Sequence, residues 1–250
     1  MATSSQELGT FAEHLRLEGW AVTPPLIQPD ILDTLTSELS SLVGEGFSRG
    51  GTRQLLDIPV VQELARSKTV RSVAEAALGH DCFAVRGILF DKTPSANWKV
   101  TWHQDLTIAV RQRRDAAAFG PWSVKEGVPH VQPPVEILQC MIAVRVHLDE
   151  CGPENGPVRV ISRSHTAGRL SGEGIDLWKK DHASADCTVS RGGILAFFPL
   201  LLHSSSPATR PGHRRVVHLE FAAATLPAGL EWYHAIGASD LALLPNERCS

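Results

Sequence analysis

The sequence predicts a mainly β protein, a sandwich or barrel with helices packed on its outside, and three observations predict it. Apolar residues recur at helical spacing only within roughly the first 80 residues. From Cys82 onward the apolar runs turn short and rich in Val, Ile, Leu and Phe, with Gly and Pro clusters between them. Helices first and strands second is the order expected when helices cover one face of a β fold. The 250 residues, 43% of them hydrophobic, suffice for one substantial core, and no repeat, low-complexity tract or linker divides them. One domain over residues 1–250 is therefore expected, with 1–80 mainly helical and 81–225 forming the β core.

Element by element, Leu8, Phe11 and Leu15 mark a first helix that Gly19 stops, and Trp20 to Val22 reads as a short strand before Pro24 and Pro25. Pro29 sits well in the first turn of a second helix, whose stripe of Ile31, Leu32, Leu35, Leu39 and Leu42 ends at Gly44. Pro59 to Ala65 and Thr69 to Leu78 are two further helices, the latter capped by Ser67 and stopped by Gly79. Strands are expected over Cys82 to Lys92, Ile137 to Leu148, Val158 to Ile161, Ile194 to Phe198 and Arg214 to Ala222. Arg111 to Pro134, with Gly120, Pro121, Gly127, Pro129, Pro133 and Pro134, reads as a long irregular loop of the kind that forms lids and binding loops.

Composition excludes several classes of partner. The net charge is −3 and the pI near 6.4, so no broad attraction to nucleic acid or anionic lipid is expected. Arg111, Arg113 and Arg114 form a local basic cluster, best read as a solvated loop because Asp115 follows and no aromatic residue interleaves. Cys82, Cys140, Cys151, Cys187 and Cys249 are odd in number and lack Cys-x-x-Cys spacing, which argues against a disulfide framework and a thiolate zinc site. With no basic, apolar start and no long apolar run, a cytoplasmic protein without membrane association is expected. Oligomeric state is not legible.

The chemistry concentrates in His103-Gln104-Asp105, with His203 a further 98 residues beyond the aspartate and Arg214 another 11 beyond that. On a strand, residues i and i+2 project to one side, so His103 and Asp105 can reach one ion while Gln104 points away. His203 must then arrive from a distant strand. Trp98 and Trp102 make the segment apolar, and a His and an Asp buried there need a partner such as a metal. Two imidazoles and one carboxylate on one face of an octahedral ion are the ligand set of non-haem Fe(II) oxygenases.

Strand parity adds a lumen. In the last expected strand Arg214, Val216, His218 and Glu220 share one face. In Gln139 to Leu148, the residues Gln139, Met141, Ala143, Arg145 and His147 share a mixed polar face opposite the apolar Ile142, Val144, Val146 and Leu148. A barrel holding a polar site turns such faces inward, and a guanidinium fork at Arg214 suits a carboxylate bidentately. Arg215 has the opposite parity and reads as a surface charge.

Over nearly its whole length the chain resembles the phytanoyl-CoA dioxygenase family of Fe(II)- and 2-oxoglutarate-dependent oxygenases. The resemblance lies in Glu18-Gly19-Trp20-Ala21-Val22, Phe90-Asp91-Lys92 leading to Trp102-His103-Gln104-Asp105, Asn155-Gly156-Pro157 before Ser164-His165, and Gly193 to Phe197 leading to His203, Ser205 and Arg214. Arg163 stands where the family usually has glycine, and Ile161 where it often has proline. The resemblance implies a double-stranded β-helix, or jelly roll, and iron held by His103, Asp105 and His203. It further implies that Arg214 and Ser205 bind the distal carboxylate of 2-oxoglutarate, with Trp122 lining the co-substrate site. Gln139 is a candidate for the same site from its strand face.

The expected activity is hydroxylation of an unactivated C–H bond of a small molecule, consuming 2-oxoglutarate and O2 and releasing succinate and CO2. Asp105 argues against halogenation, because a halide would need its coordination position. The alternatives are a jelly-roll module that binds a metal or ligand without turnover, and a metal-dependent hydrolase using the same three ligands. The first needs no vacant coordination face, and the second leaves Arg214 unexplained.

Overall fold

The structure, a computed structural model, describes residues 5–43 and 51–238. Gly44, the expected stop of the second helix, and Cys249 lie outside those residues, as do the side chains of Leu8 and Leu42. Helices α1 (Ser5–Glu18), α2 (Pro29–Val43), α3 (Pro59–Arg66) and α4 (Lys68–Leu78) come first, with β1 (Trp20–Val22) between α1 and α2. Local chemistry sets their ends. Ser67 Oγ accepts from the Val70 amide at 3.3 Å to cap α4, and Gly79 follows the helix with φ +83.

The strands form two large antiparallel sheets stacked as a jelly roll. The first is ordered β1, β10 (Ile194–Phe197), β7 (Met141–His147), β12 (Arg214–Ala222), β2 (Phe83–Lys92). The second is ordered β3 (Val100–His103), β11 (His203–Ser205), β8 (Val158–Val160), β9 (Ala185–Cys187). Period-two alternation decides what each face meets. Outward residues Ile142, Val144, Val146, Val217, Leu219 and Phe221 bury against Leu15, Leu35, Leu39 and Val73 of the helices. Inward Ala143, Leu195 and Phe197 meet Val158, Val160 and Cys187 of the second sheet. No described helix is long and apolar enough to cross a membrane.

Two expectations fail. Arg111 to Pro134 is not irregular throughout. Trp122–Lys125 is β5 and Val128–Val131 is β6, and β6 lies between β5 and the short β4 (Ile108–Ala109) in a third sheet. Glu126 and Gly127, with φ +50 and +81, close a two-residue hairpin that the neighbouring prolines mask in the sequence. Nor does a strand begin at Ile137. Pro134 precedes a short helix, α5 (Val135–Gln139), and the strand starts only at Met141. A helix not foreseen, α6 (Gly172–Asp181), is capped by Ser171 Oγ, which accepts from the Gly174 amide at 3.1 Å.

The departure at Arg163 has a clear geometry. Its φ of +68 is the left-handed conformation that glycine adopts without cost, and its amide donates to the Glu18 carbonyl at 2.8 Å. His165 follows in a 3-10 turn, stacked on Phe198 with ring centroids 5.2 Å apart.

Candidate active site

A cavity of about 440 Å³ opens between the two large sheets. One wall is the inward face of β2 and β12, whose register pairs Lys92 with Arg214, Ile88 with His218, and Arg86 with Glu220. Arg145 of β7 continues the row beside His218. Against this wall stand His103 at the end of β3, Asp105 just beyond it, and His203 at the start of β11.

Antiparallel pairing sets the two histidines opposite each other, His103 against His203, with ring centroids 4.2 Å apart. Each Nδ1 donates to the carbonyl two residues earlier: His103 to Thr101 at 2.8 Å, His203 to Leu201 at 2.9 Å. A carbonyl only accepts, so both Nδ1 atoms are protonated and both Nε2 lone pairs are left free. Those Nε2 atoms lie 3.7 and 3.6 Å from the two oxygens of Asp105. The three side chains offer ligand atoms all within 4.8 Å of one another, a set that could hold one metal ion.

Gln104 points the other way, as parity requires. Its Nε2 donates to the carbonyls of Leu200 at 2.6 Å and Gly168 at 2.8 Å, and its Oε1 accepts from the Leu170 amide at 2.8 Å. Asp105 is held from its backbone, the amide donating to Pro199 at 2.8 Å. Electrostatics put Asp105 and His203 in the protonation states a divalent ion needs. Burial pushes the Asp105 carboxyl up, but His203 and His103 outweigh that and hold it below the usual carboxylate range. Burial and the neighbouring His103 lower His203 to about 4, so its imidazole is neutral at pH 7.

The closed end of the cavity is cationic. Arg214 is buried, with Nη1 donating to the Gly156 carbonyl and Nε buried without an acceptor. Ser205 Oγ also reaches Gly156 O, at 3.3 Å, and takes a hydrogen bond from Lys92 Nζ at 2.5 Å. Gly156 has φ +64, and a Cβ there would collide with the Ser206 carbonyl and crowd Lys92 Nζ at 3.1 Å, so this turn requires glycine. Burial and then the Arg214 charge lower Lys92 to about 7. Arg145, lowered to about 10 by the same two causes, donates to His218 Nδ1 at 3.0 Å and lies over the Phe90 ring.

Not every expected residue is here. Gln139 ends α5 and is exposed, because the helix displaces the strand face that would have turned it inward. Trp122 starts β5 and packs, half-buried, against the Ile108, Val110 and Val131 cluster with Arg113 over its ring; it does not line the cavity. Arg215 faces outward and pairs with Asp149 at 2.6 Å. Conversely, Arg53, Arg86, Phe90, Thr107 and Lys125 line the cavity, although the sequence assigned no site role to any of them. For Arg86 and Phe90 the signal was available, since Arg86, Ile88, Phe90 and Lys92 alternate on one face just as the β12 residues do.

The family model described as phytanoyl-CoA dioxygenase matches residues 16–216. No curated protein matches the chain. Among solved structures, AviO1 from Streptomyces viridochromogenes Tue57 is similar at 18% identity and a TM-score of 0.64, covering 90% of this chain and 98% of that one. The non-haem α-ketoglutarate-dependent carbocyclase SnoK from nogalamycin biosynthesis aligns at 12% identity and a TM-score of 0.68, covering 99% and 94%. EctD from S. alaskensis with 2-oxoglutarate and 5-hydroxyectoine aligns at 18% identity and 0.65, covering 89% and 77%.

Proposed function

The chain belongs to the phytanoyl-CoA dioxygenase family, and from that premise we propose that it hydroxylates an unactivated C–H bond of a small molecule. Membership makes it an oxygenase that uses Fe(II), 2-oxoglutarate and O2. His103, Asp105 and His203 would hold the iron, and their donor chemistry fits it: two imidazoles and one carboxylate are a non-haem Fe(II) set. Bound there, Fe(II) supplies the activation of O2 that is coupled to 2-oxoglutarate decarboxylation.

The remaining work falls to the protein. Arg214 would bind the remote carboxylate of 2-oxoglutarate, helped by the Ser205 hydroxyl and the Lys92 ammonium. The buried Nε atoms of Arg214 and Arg145, both without acceptors, support an anionic occupant beside them. Ile88, Phe90 and Val158 make the neighbouring wall apolar and limit water there. The single observation that carries this reading is that the triad and the closed-end cations share one cavity. Hydroxylation in particular is favoured over halogenation because Asp105 fills the position a halide would take.

Anaerobic addition of Fe(II) and 2-oxoglutarate to metal-free protein tests the co-substrate assignment. A weak visible charge-transfer band is expected, and its loss in His203→Ala together with loss of bound iron. A protein that binds iron tightly without ever giving the band would instead be a metal-binding module or a hydrolase. Once a substrate is in hand, mass spectrometry decides the outcome of turnover: a gain of one oxygen supports hydroxylation, while loss of two hydrogens or an unchanged mass speaks for ring closure or epimerisation.

A further inference from the structure

Among the described residues, the iron and 2-oxoglutarate account leaves two lining cations without a carboxylate partner, the exposed Lys99 and the half-buried Lys125. Seven of the side chains lining the cavity are Lys or Arg, whereas only one, Asp105, is a carboxylate. At the lip, Arg86 is committed to Glu220, and Arg53 pairs with Glu126 at 3.1 Å. Lys125, at the end of β5, differs. It is half-buried, it lines the cavity, and among the described residues no carboxylate lies within ion-pairing distance of it. Its Nζ meets only the hydroxyl of Thr107, which accepts at 3.2 Å. Thr107 stands two residues beyond Asp105, on the segment that leads from His103 and Asp105 into β4.

Resting on the function proposed above, we infer that Lys125 and Thr107 form the anchor for a carboxylate on the oxidised substrate. An ammonium and a hydroxyl 3.2 Å apart supply two donors, which match the two oxygens of a carboxylate. Lys125 shares the cavity with the triad but stands on a different sheet from Lys92 and Arg214, which leaves those two cations to the 2-oxoglutarate carboxylate. Lys125 also has a standing need for a counter-ion, because burial and the charges of Arg86 and Arg53 already push its pKa down. An anion docking there relieves that cost, and the surplus of positive charge in the cavity steers it inward.

The test uses the full chain, anaerobic, with Ni(II) or Fe(II) and saturating 2-oxoglutarate, titrated calorimetrically with butyrate, hexanoate and 3-phenylpropionate and with the corresponding primary amides. The acids are expected to bind about tenfold or more tightly than the amides. Lys125→Met should abolish that preference and Thr107→Val reduce it, while Arg111→Gln, an exposed change, should leave it intact. Equal binding of acids and amides, binding of neither, or a preference that survives Lys125→Met overturns the inference. The charge-transfer band in each variant reports folding and 2-oxoglutarate chelation. A band without the preference sinks this inference alone; a Lys125-dependent preference without the band sinks the oxygenase reading alone.

Discussion

At the closed end of the cavity Lys92, Arg145 and Arg214 are all buried, and they stand on three neighbouring strands of one sheet. At the lip Arg53 and Lys125 are half-buried and come from a loop and a hairpin that are joined by Arg53 to Glu126 and by Gln54 to the Glu126 carbonyl at 2.8 Å. The same residue types thus do different work. Cations fixed by a sheet are desolvated before any ligand arrives and match one anion of fixed size. Cations on a loop and a hairpin keep partial solvation, and the group they meet can vary with the segments that carry them.

The strongest way to break this comparison is Arg214→Ala. Truncating a buried guanidinium that pairs with a carboxylate costs about 2–5 kcal/mol, so 2-oxoglutarate affinity should fall by about thirtyfold to several thousandfold. Arg53→Ala should change it little. Calorimetric titration of both variants with 2-oxoglutarate decides; comparable losses would mean that the co-substrate spans the cavity and that the two ends are not distinct.

The middle of the cavity gives the second prediction. Gln104 makes three hydrogen bonds that tie the segment carrying His103 and Asp105 to the turns at Gly168 to Leu170 and at Leu200. Gln104→Leu leaves the buried Leu200 carbonyl and two part-buried backbone groups without this partner and should cost about 1–3 kcal/mol of stability. Denaturant unfolding measures that cost. Weaker iron binding in the same variant would show that the triad depends on this tie, whereas unaltered iron affinity would assign Gln104 to stability alone.

The ends also differ in how far they could be read from the sequence. Arg214 was legible because period-two alternation puts Arg214, Val216, His218 and Glu220 on one face, and the inward-facing apolar partners exist to bury it. His103, Asp105 and His203 were legible from ligand chemistry and i, i+2 projection. The lip was not. Its hairpin turns on Glu126 and Gly127 between prolines that suggest a loop, and the Arg53 to Glu126 contact joins residues 73 apart, a pairing no local pattern encodes. Gln139 was misplaced for a related reason: Pro133 and Pro134 start a helix where apolar content alone suggested a strand.

A third experiment sharpens the contrast through pH. Lys92 is lowered to about 7 by burial and by Arg214, so its ammonium is populated below that pH and lost above it. Only the charged form attracts the 2-oxoglutarate dianion. Affinity should therefore be highest below pH 7 and weaken as pH rises through it, with proton uptake on binding, by up to about tenfold per unit. Lys92→Met should flatten the profile between about pH 6 and 9. A profile unchanged by that substitution would show that Lys92 takes no part in holding the co-substrate.

The smallest expected effect belongs to the lip. Arg53 and Glu126 are paired at 3.1 Å with side chains 25% and 43% exposed, so water and salt screen much of their attraction. A double-mutant cycle with Arg53→Gln and Glu126→Gln should return a coupling of about 0.2–1 kcal/mol, smaller still at high salt. That small value has a functional side. Because the pair costs little to part, Arg53 can leave Glu126 for a second anion at the cavity mouth, whereas Arg214 has no comparable freedom. If the carboxylate probes tighten binding in Glu126→Gln, where Arg53 is released, the lip is an adjustable clamp around Lys125. If the cycle instead returns several kcal/mol, the lip is as rigid as the closed end, and the contrast between a fixed and an adaptable anion site is lost.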